Sequence, residues 1–189
     1  MNIFFRRISS LFRICISLGL MTCILLSSAS AYELPYGRWR YTSVSYNFNT
    51  SMSSTYKSVW LNAISSWNSA QSQVSLYQGS GTSGNIICST VNDTSSSDYG
   101  YTVRGRNETT YYLTAAVSYL NLNNSSVAAA GTICKSTACH ELGHALGLNH
   151  FSSTTVSAVM NTSRNRSSIY TPKTDDVNAI NYAYTASWG

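Results

Sequence analysis

The stretch "HELGHALGLNH", residues 140–150, contains all three histidines of this 189-residue chain: His140, His144 and His150. Residues four apart lie on one face of a helix, so His140 and His144 can point at the same metal ion. Gly147 can adopt a left-handed backbone conformation that ends the helix, after which the chain turns back and supplies His150 as a third ligand. Three imidazoles leave the fourth position of a tetrahedral zinc ion open, which is typical of a catalytic site. The stretch therefore predicts a catalytic zinc site.

The residue after the first histidine, Glu141, is placed to act on a water molecule at such a site. A carboxylate there can take the proton of the attacking water and pass it to a leaving amine. The alternative is that these are ordinary surface or core histidines on a helix. That alternative requires five specified positions to agree by chance, for which the odds in a chain of this length are about 10⁻⁴. The metal site is the better interpretation, with Glu141 as the general base.

The opening segment, residues 1–31, has three arginines, then an apolar run, then small residues that end at Ala31. This layout is typical of a secretory signal peptide and predicts cleavage after Ala31. A membrane anchor is the alternative, but polar residues interrupt the apolar run, which ends at a small-residue cleavage site. We therefore expect a secreted, extracellular protein in which residues 32–189 form a single domain.

The charge balance of the predicted mature domain is close to neutral. The opening segment holds three of the twelve basic residues and none of the seven acidic residues, so its removal lowers the net charge from +5 to +2. Such a balance gives no indication of a nucleic-acid groove or a polybasic membrane patch. We expect a monomer that binds neither nucleic acid nor, after signal cleavage, a membrane.

Three cysteines remain after residue 31: Cys88, Cys134 and Cys139. An odd number in an oxidising compartment indicates one disulfide and one free thiol, or a bond to another chain. We expect Cys88 to pair with Cys134 or Cys139. A cysteine could instead bind zinc, although the histidines already supply three ligands.

The rest of the chain contains short strands and amphipathic helices, without a repeat or an internal linker. Residues 43–49 alternate apolar and polar side chains as a half-buried strand does, and apolar residues at helical spacing predict a helix at 52–70 whose aromatic stripe is core. The final helix has acidic residues in its first turn and Thr174 as the expected N-cap. A strand, a helix, several strands and two helices in this order predict an α+β fold. The further predicted strands are residues 73–77, 85–89, 99–105 and 115–123.

The histidine stretch carries the signature H-E-x-x-H-x-x-G-x-x-H unchanged, and by this signature the chain resembles the metzincin clan of zinc endopeptidases. "SAVMN" places Met160 ten residues after the third histidine, where it resembles the Met-turn of that clan. The closing "TPKTDDVNAINYAY" and the early "RWRYTSVSYNFN" look like the last helix and the first strand of matrixins. The resemblance implies a matrixin-like α+β domain, with a twisted, mixed five-stranded sheet, three helices and a Met-turn.

The resemblance also implies a function. It implies a secreted zinc endopeptidase with a catalytic zinc ion on the three histidines, Glu141 as the general base and Met160 as an apolar floor under the metal. A protein or peptide substrate would lie extended along an edge strand around residues 100–104. Two alternatives stay open: a zinc-bearing module that binds with little turnover, and a zinc hydrolase that acts on a non-peptide substrate. A pure binder has no need of Glu141, which favours the enzyme.

The histidine count limits the metal content of the chain. All three histidines are assigned to the catalytic ion, so a second zinc ion would need cysteine or carboxylate ligands. The loop "STVNDTSSSD" holds Asp93 and Asp98, whose oxygens suit calcium better than zinc. A distant glutamate ligand is excluded, because the only acidic residues after Glu141 are Asp175 and Asp176. We expect one zinc ion per chain, with calcium as an optional stabiliser.

Overall fold

The computed structural model describes residues 35–81, 84–152 and 156–186, and the predicted signal peptide at residues 1–31 lies outside this range. The elements are β1 Ser43–Phe48, α1 Ser54–Ala70, β2 Ser75–Gln78, β3 Ile86–Val91, β4 Gly100–Arg106, β5 Leu113–Asn121, α2 Ser125–Ala128, α3 Thr132–Ala145 and α4 Thr174–Thr185. Each predicted strand and helix is found, with bounds that differ by a few residues from those expected. No helix in the described ranges is both long enough and apolar enough to cross a membrane.

The five strands form one mixed sheet in the order β2-β1-β3-β5-β4. Strands β2, β1, β3 and β5 pair in parallel, whereas β4 pairs with β5 in the antiparallel direction. Strand β4 is therefore at one edge, and one of its sides has no partner strand within the described residues. The predicted fold class is confirmed: the domain is α+β with a mixed five-stranded sheet and three long helices, to which the structure adds the four-residue helix α2.

Helix α1 joins the sheet to α3 through two tryptophans on its apolar face. The indole Nε1 of Trp60 donates to the carbonyl oxygen of Ser89 on β3 at 3.2 Å. The indole Nε1 of Trp67 donates to the carbonyl oxygen of Cys139 on α3 at 2.9 Å. A buried indole needs an acceptor for its N–H, and both have one here. Five residues of the stripe predicted to be core are buried, Val59, Trp60, Ala63, Ile64 and Trp67, whereas Tyr56 at its start is only partly buried and packs against the core.

Strand β4 turns its polar side chains toward the interior of the molecule and its apolar side chains toward solvent. Thr102 and Arg104 are half-buried and hydrogen-bond to α3 and the turn that follows it, whereas Tyr101 and Val103 are exposed. This is the inverse of the usual alternation, in which apolar residues face the core. The inversion brings polar side chains of the edge strand to the helix that carries the first two histidines.

The prediction of a disulfide between Cys88 and Cys134 or Cys139 is wrong. Cys88, Cys134 and Cys139 are all free thiols, and each is completely buried in the core. Burial raises the pKa of all three thiols, because a thiolate would lose its hydration there. In such surroundings a cysteine packs as a small apolar side chain, so the odd cysteine count carried no information about pairing.

The start of α4 also differs from the expectation. The N-cap is Lys173, whose backbone is extended, and Thr174 is the first helical residue. The backbone N–H of Lys173 donates to Oδ2 of Asp176 at 2.7 Å. Because a carboxylate three residues into the helix accepts this bond, the helix begins one residue earlier than a threonine cap would allow.

Candidate active site

The side chains of the three histidines converge on one point. Nε2 of His150 lies 3.2 Å from Nε2 of His140 and 3.0 Å from Nε2 of His144. Helix α3 carries the first two, and Gly147, with a φ of 104°, turns the chain back so that the third reaches them. In the part of the chain that the structure describes, this is the one cluster of three side chains able to hold a metal ion. The fold thus brings together the three residues that the spacing had singled out.

Hydrogen bonds determine which ring nitrogens face the cluster. Nδ1 of His140 lies 2.8 Å from the carbonyl oxygen of Val159, and Nδ1 of His144 lies 2.9 Å from that of Leu148. A carbonyl oxygen only accepts, so each Nδ1 carries the proton and each Nε2 presents a lone pair. Burial lowers the pKa of His140 well below its usual value and that of His144 to about 3, which keeps both rings neutral. Neutral imidazoles with converging lone pairs are a donor set that zinc takes, so these residues fit a zinc ion.

Glu141 lines the same cleft as the histidines. Its side chain is buried, and its Oε2 accepts a hydrogen bond from Oγ1 of Thr102 on β4 at 2.9 Å. Burial raises the pKa of Glu141 to about 7, and the Thr102 hydroxyl and the positive charge of Arg164 oppose that increase. The edge strand therefore holds the carboxyl group in one orientation beside the histidine cluster.

The segment predicted to be the Met-turn packs against α3. Met160 is completely buried, and its sulfur lies so close to Gly143 of α3 that a Cβ at this glycine would overlap with it. The carbonyl oxygen of Val159 holds Nδ1 of His140, as described above. The carbonyl oxygen of Met160 accepts from the N–H of Phe151, which follows the third histidine, at 3.1 Å. The turn thus contacts both ends of the histidine stretch.

Asp176 connects the last helix to the Met-turn. Its carboxylate accepts hydrogen bonds from the backbone N–H of Val159 at 2.7 Å and of Met160 at 3.0 Å. The side chain is completely buried. Burial raises the pKa of Asp176, and its backbone N–H donors act in the opposite direction. The Met-turn also contacts α3, so helix α4 stabilises the position of the histidine helix through the Met-turn.

Arg104 holds the turn between the second and third histidines. Its Nη1 donates to the carbonyl oxygens of His144 at 2.8 Å and Leu148 at 2.6 Å, and its Nη2 donates to Oδ1 of Asn149 at 2.6 Å. Its guanidinium carbon lies 4.2 Å from the ring centre of Tyr36. Burial lowers the pKa of Arg104 to about 10, so the side chain is still a cation near neutral pH.

A cleft of about 520 Å³ contains the histidine cluster and Glu141. The inward face of β4 and part of the segment 162–166 complete its walls. Sequence reasoning missed the contacts of Thr102 and Arg104 with the histidine helix. The alternation along β4 could have indicated that the two residues share a face, but not that this face is turned inward. No sequence pattern marks the arginines of the segment 162–166.

The two aspartates expected to suit calcium make hydrogen bonds within their own loop. Oδ1 of Asp93 accepts from the N–H and the hydroxyl of Ser95 at 2.9 and 2.6 Å. Oδ2 of Asp98 accepts from the hydroxyl of Ser96 at 2.8 Å. Neither aspartate belongs to a cluster of three metal-binding side chains within the described residues. Calcium binding at this loop stays a prediction.

Fold and site together define a class of protein: an α+β domain in which one helix and the turn after it present three histidines around a single metal position. The sequence model of the matrixin family, peptidase family M10, matches residues 38–185. The chain therefore belongs to the matrixin family, a family of zinc-dependent endopeptidases. The resemblance inferred from the sequence is confirmed. No curated protein gives a significant match to the chain.

Proposed function

We propose that the chain is a secreted zinc endopeptidase that hydrolyses peptide bonds in proteins or peptides. The observation that supports this most strongly is the convergence of three histidine Nε2 atoms in a cleft that Glu141 also lines. Within the described residues no fourth protein ligand joins the cluster, which leaves a coordination position for water or substrate. Membership of the matrixin family supports the same reaction.

Each residue of the site has a proposed role. The three histidines would hold the zinc ion. When bound, zinc supplies Lewis acidity, which polarises a peptide carbonyl and makes water more acidic. Glu141 takes the proton of the attacking water on its carboxylate and delivers it to the leaving nitrogen. Thr102 keeps Oε2 of that carboxylate in place through the 2.9 Å hydrogen bond. Met160 forms an apolar floor by packing against α3 at Gly143.

The proposed substrate is an extended peptide that adds to the free side of β4. Within the described residues this strand pairs with β5 alone, so its other side offers backbone N–H and C=O groups to an added strand. Thr102 of this strand contacts Glu141. A peptide hydrogen-bonded to β4 therefore presents its carbonyl groups close to the general base and to the histidine cluster.

The proposal includes export and a simple metal content. The layout of residues 1–31 supports secretion with cleavage after Ala31, and the scarcity of other metal-binding side chains supports one zinc ion per monomer, with calcium optional. Intact-mass measurement of the exported protein tests the first point. The expected chain begins at residue 32; a mass that includes residues 1–31 would contradict signal cleavage.

The decisive experiment is cleavage-site mapping. The exported, zinc-loaded protein is incubated with a diverse peptide library, and the products are identified by mass spectrometry. We expect cleavage of internal peptide bonds that disappears with a zinc chelator and in the Glu141→Gln variant. Peptides that are bound but not cut by the zinc-loaded protein would instead identify a binding module. Turnover of a non-peptide ester or amide without peptide cleavage would identify a different hydrolase.

A further inference from the structure

Two arginines that follow the Met-turn, Arg164 and Arg166, line the cleft together with the start of β4. Arg164 is buried and fixed: its Nε donates to Oγ of Ser136 at 3.1 Å, and its Nη1 donates to the carbonyl oxygen of Asn161 at 3.1 Å. Burial and the positive charge of Arg166 lower the pKa of Arg164 to about 10, so it stays a cation near neutral pH. Two neighbouring positive charges, those of Arg164 and Arg166, therefore lie where the cleft is lined by the start of β4.

Arg166 has no fixed polar partner among the described residues. Its guanidinium carbon lies over the ring of Tyr99, 4.3 Å from the ring centre, which is a cation–π contact. Its Nε is buried and lacks a hydrogen-bond partner in the described part of the chain. The one ion pair among the described residues joins Arg106 to Glu108, so no described carboxylate forms an ion pair with Arg166. A buried donor without an acceptor is costly, and such a group in a cleft is suited to an acceptor from outside the chain.

The acidic residues of the cleft do not neutralise these cations. Asp98 and Glu141 line the cleft, which also contains three arginines. Oδ2 of Asp98 accepts from the Ser96 hydroxyl, and Oε2 of Glu141 accepts from the Thr102 hydroxyl. The cleft therefore has an excess of positive charge. Charge of one sign in a concave site raises the local concentration of ligands of the opposite sign.

We propose that Arg166, with Arg164 behind it, selects peptide substrates that carry a carboxylate beside the scissile bond; this rests on the peptidase function proposed above. An extended peptide on β4 points alternate side chains into the cleft. Tyr99 and Gly100 line the cleft with Arg166, so a side chain beside them meets the guanidinium. A guanidinium binds a carboxylate through two parallel N–H···O bonds, and the unpartnered Nε is one of the donors that this geometry uses.

Two kinds of peptide carboxylate have the required chemistry. One is the side chain of aspartate or glutamate, and the other is the C-terminal carboxylate of a short substrate. The free side of β4 extends past Thr102 in both directions, so the peptide chain continues beyond the cut. A side-chain carboxylate is therefore the source that the geometry favours. Substrates with an amidated C-terminus separate the two sources, because they retain only the side-chain carboxylate.

The test uses a peptide that the exported, zinc-loaded protein cleaves, in amidated form. Versions with Glu, Gln or Lys are made at each position that flanks the cut. At one position we expect kcat/KM to be roughly tenfold higher for Glu than for Gln, and lowest for Lys. High salt should reduce the difference.

Equal values for Glu and Gln at every position would overturn the inference but not the peptidase function. Cleavage of no peptide at all would overturn the peptidase function itself. Preference for a free C-terminus alone would overturn the side-chain assignment.

Variants then assign the preference to Arg166. In Arg166→Gln the ratio of kcat/KM for the Glu and Gln peptides should fall toward one. Arg166→Lys keeps the positive charge but lacks the planar guanidinium group that can bind a carboxylate through two parallel hydrogen bonds. It should therefore give an intermediate ratio. The matched control is Arg40→Gln, since Arg40 is exposed, stacks on Tyr41 at 5.6 Å and lies outside the cleft. A wild-type ratio in both Gln variants would overturn the role of Arg166. The wild-type peptide series remains decisive even where a variant fails to fold.

Discussion

Nη1 of Arg104, on the edge strand, lies 2.8 Å from the carbonyl oxygen of His144 at the end of the metal-binding helix. The same nitrogen donates to the carbonyl oxygen of Leu148, which also receives Nδ1–H of the His144 ring. One guanidinium thus fixes both the backbone and the ring orientation of the second histidine. The strand proposed to bind substrate and the site proposed to bind zinc are therefore one mechanical unit.

Replacing Arg104 should weaken the metal site. Arg104→Met keeps much of the side-chain volume but removes all three donated hydrogen bonds, so the turn that carries His150 loses its anchor. We expect zinc affinity to fall roughly 10- to 100-fold, as is usual when the groups that hydrogen-bond to the metal-binding residues and orient them are lost. Competition with a calibrated chelator measures this, with Arg40→Met as a control for the lost charge. Wild-type affinity in Arg104→Met would show that the turn holds without the guanidinium.

Glu141→Gln should separate metal binding from chemistry. The amide keeps the shape of the side chain but cannot take a proton from water. We expect wild-type zinc content and a decrease in kcat of about 10² to 10⁴, the contribution typical of general acid–base catalysis. Elemental analysis and cleavage of a mapped peptide measure the two properties on the same sample. A near wild-type rate in this variant would show that another group is the base.

Thr102 should act as a positioning residue for Glu141. Thr102→Val removes the hydroxyl that lies 2.9 Å from Oε2 of Glu141, and it preserves the shape of the side chain. Loss of a hydrogen bond to a carboxylate should lower kcat roughly tenfold, with little change in zinc content. Thr102→Ser restores the hydroxyl and should recover most of the rate. A wild-type rate in Thr102→Val would show that the hydroxyl is not needed to position the carboxylate.

Gly147 should not tolerate a side chain. Its φ of 104° is unfavourable for alanine, and a Cβ there would overlap with the carbonyl oxygen of Gly37. Gly81 is a matched control, because its φ of 71° is also positive but a Cβ at that position would have no atom within 4 Å among the described residues. We expect Gly81→Ala to cost about 1–2 kcal/mol in the free energy of unfolding, and Gly147→Ala clearly more. Urea denaturation measures both costs; equal values would show that the close approach to Gly37 relaxes without penalty.

The metal content should be one zinc ion per chain. The described residues provide one three-ligand cluster, and all histidines of the chain belong to it. Elemental analysis of the dialysed protein should therefore give one zinc, and a chelator should remove it together with activity. Two tightly held zinc ions would show that cysteine or carboxylate ligands outside this cluster had been overlooked.

The histidine cluster could be predicted from the sequence because its members are close together along the chain. Helical spacing joins His140 to His144, and Gly147 supplies the turn, so local rules suffice. The contacts that hold the site in place from distant parts of the chain could not be predicted in this way. Thr102 contacts Glu141 across 39 residues, and its position depends on which face of β4 is turned inward. Periodicity reports that two faces exist, but only the packed sheet decides which one is buried.

The two wrong predictions have a common physical origin. The cysteine count and the choice of Thr174 as N-cap both used the properties of a residue type without its surroundings. The thiols are enclosed in the core and need no partner. At α4, the carboxylate of Asp176 accepts the N–H of Lys173 and also those of the Met-turn. One buried acceptor thus serves two segments, and no local pattern indicates such sharing.

The bonds from Asp176 to the Met-turn also have a consequence for the time course of synthesis. Helix α4 follows every other element of the site along the chain, so a growing polypeptide carries the histidine stretch before it carries Asp176. Until that carboxylate has been made, the N–H groups of Val159 and Met160 lack their acceptor. Nascent chains form structure from the N-terminus onward. The order of residues therefore postpones the full support of the histidine cluster until helix α4 has been made.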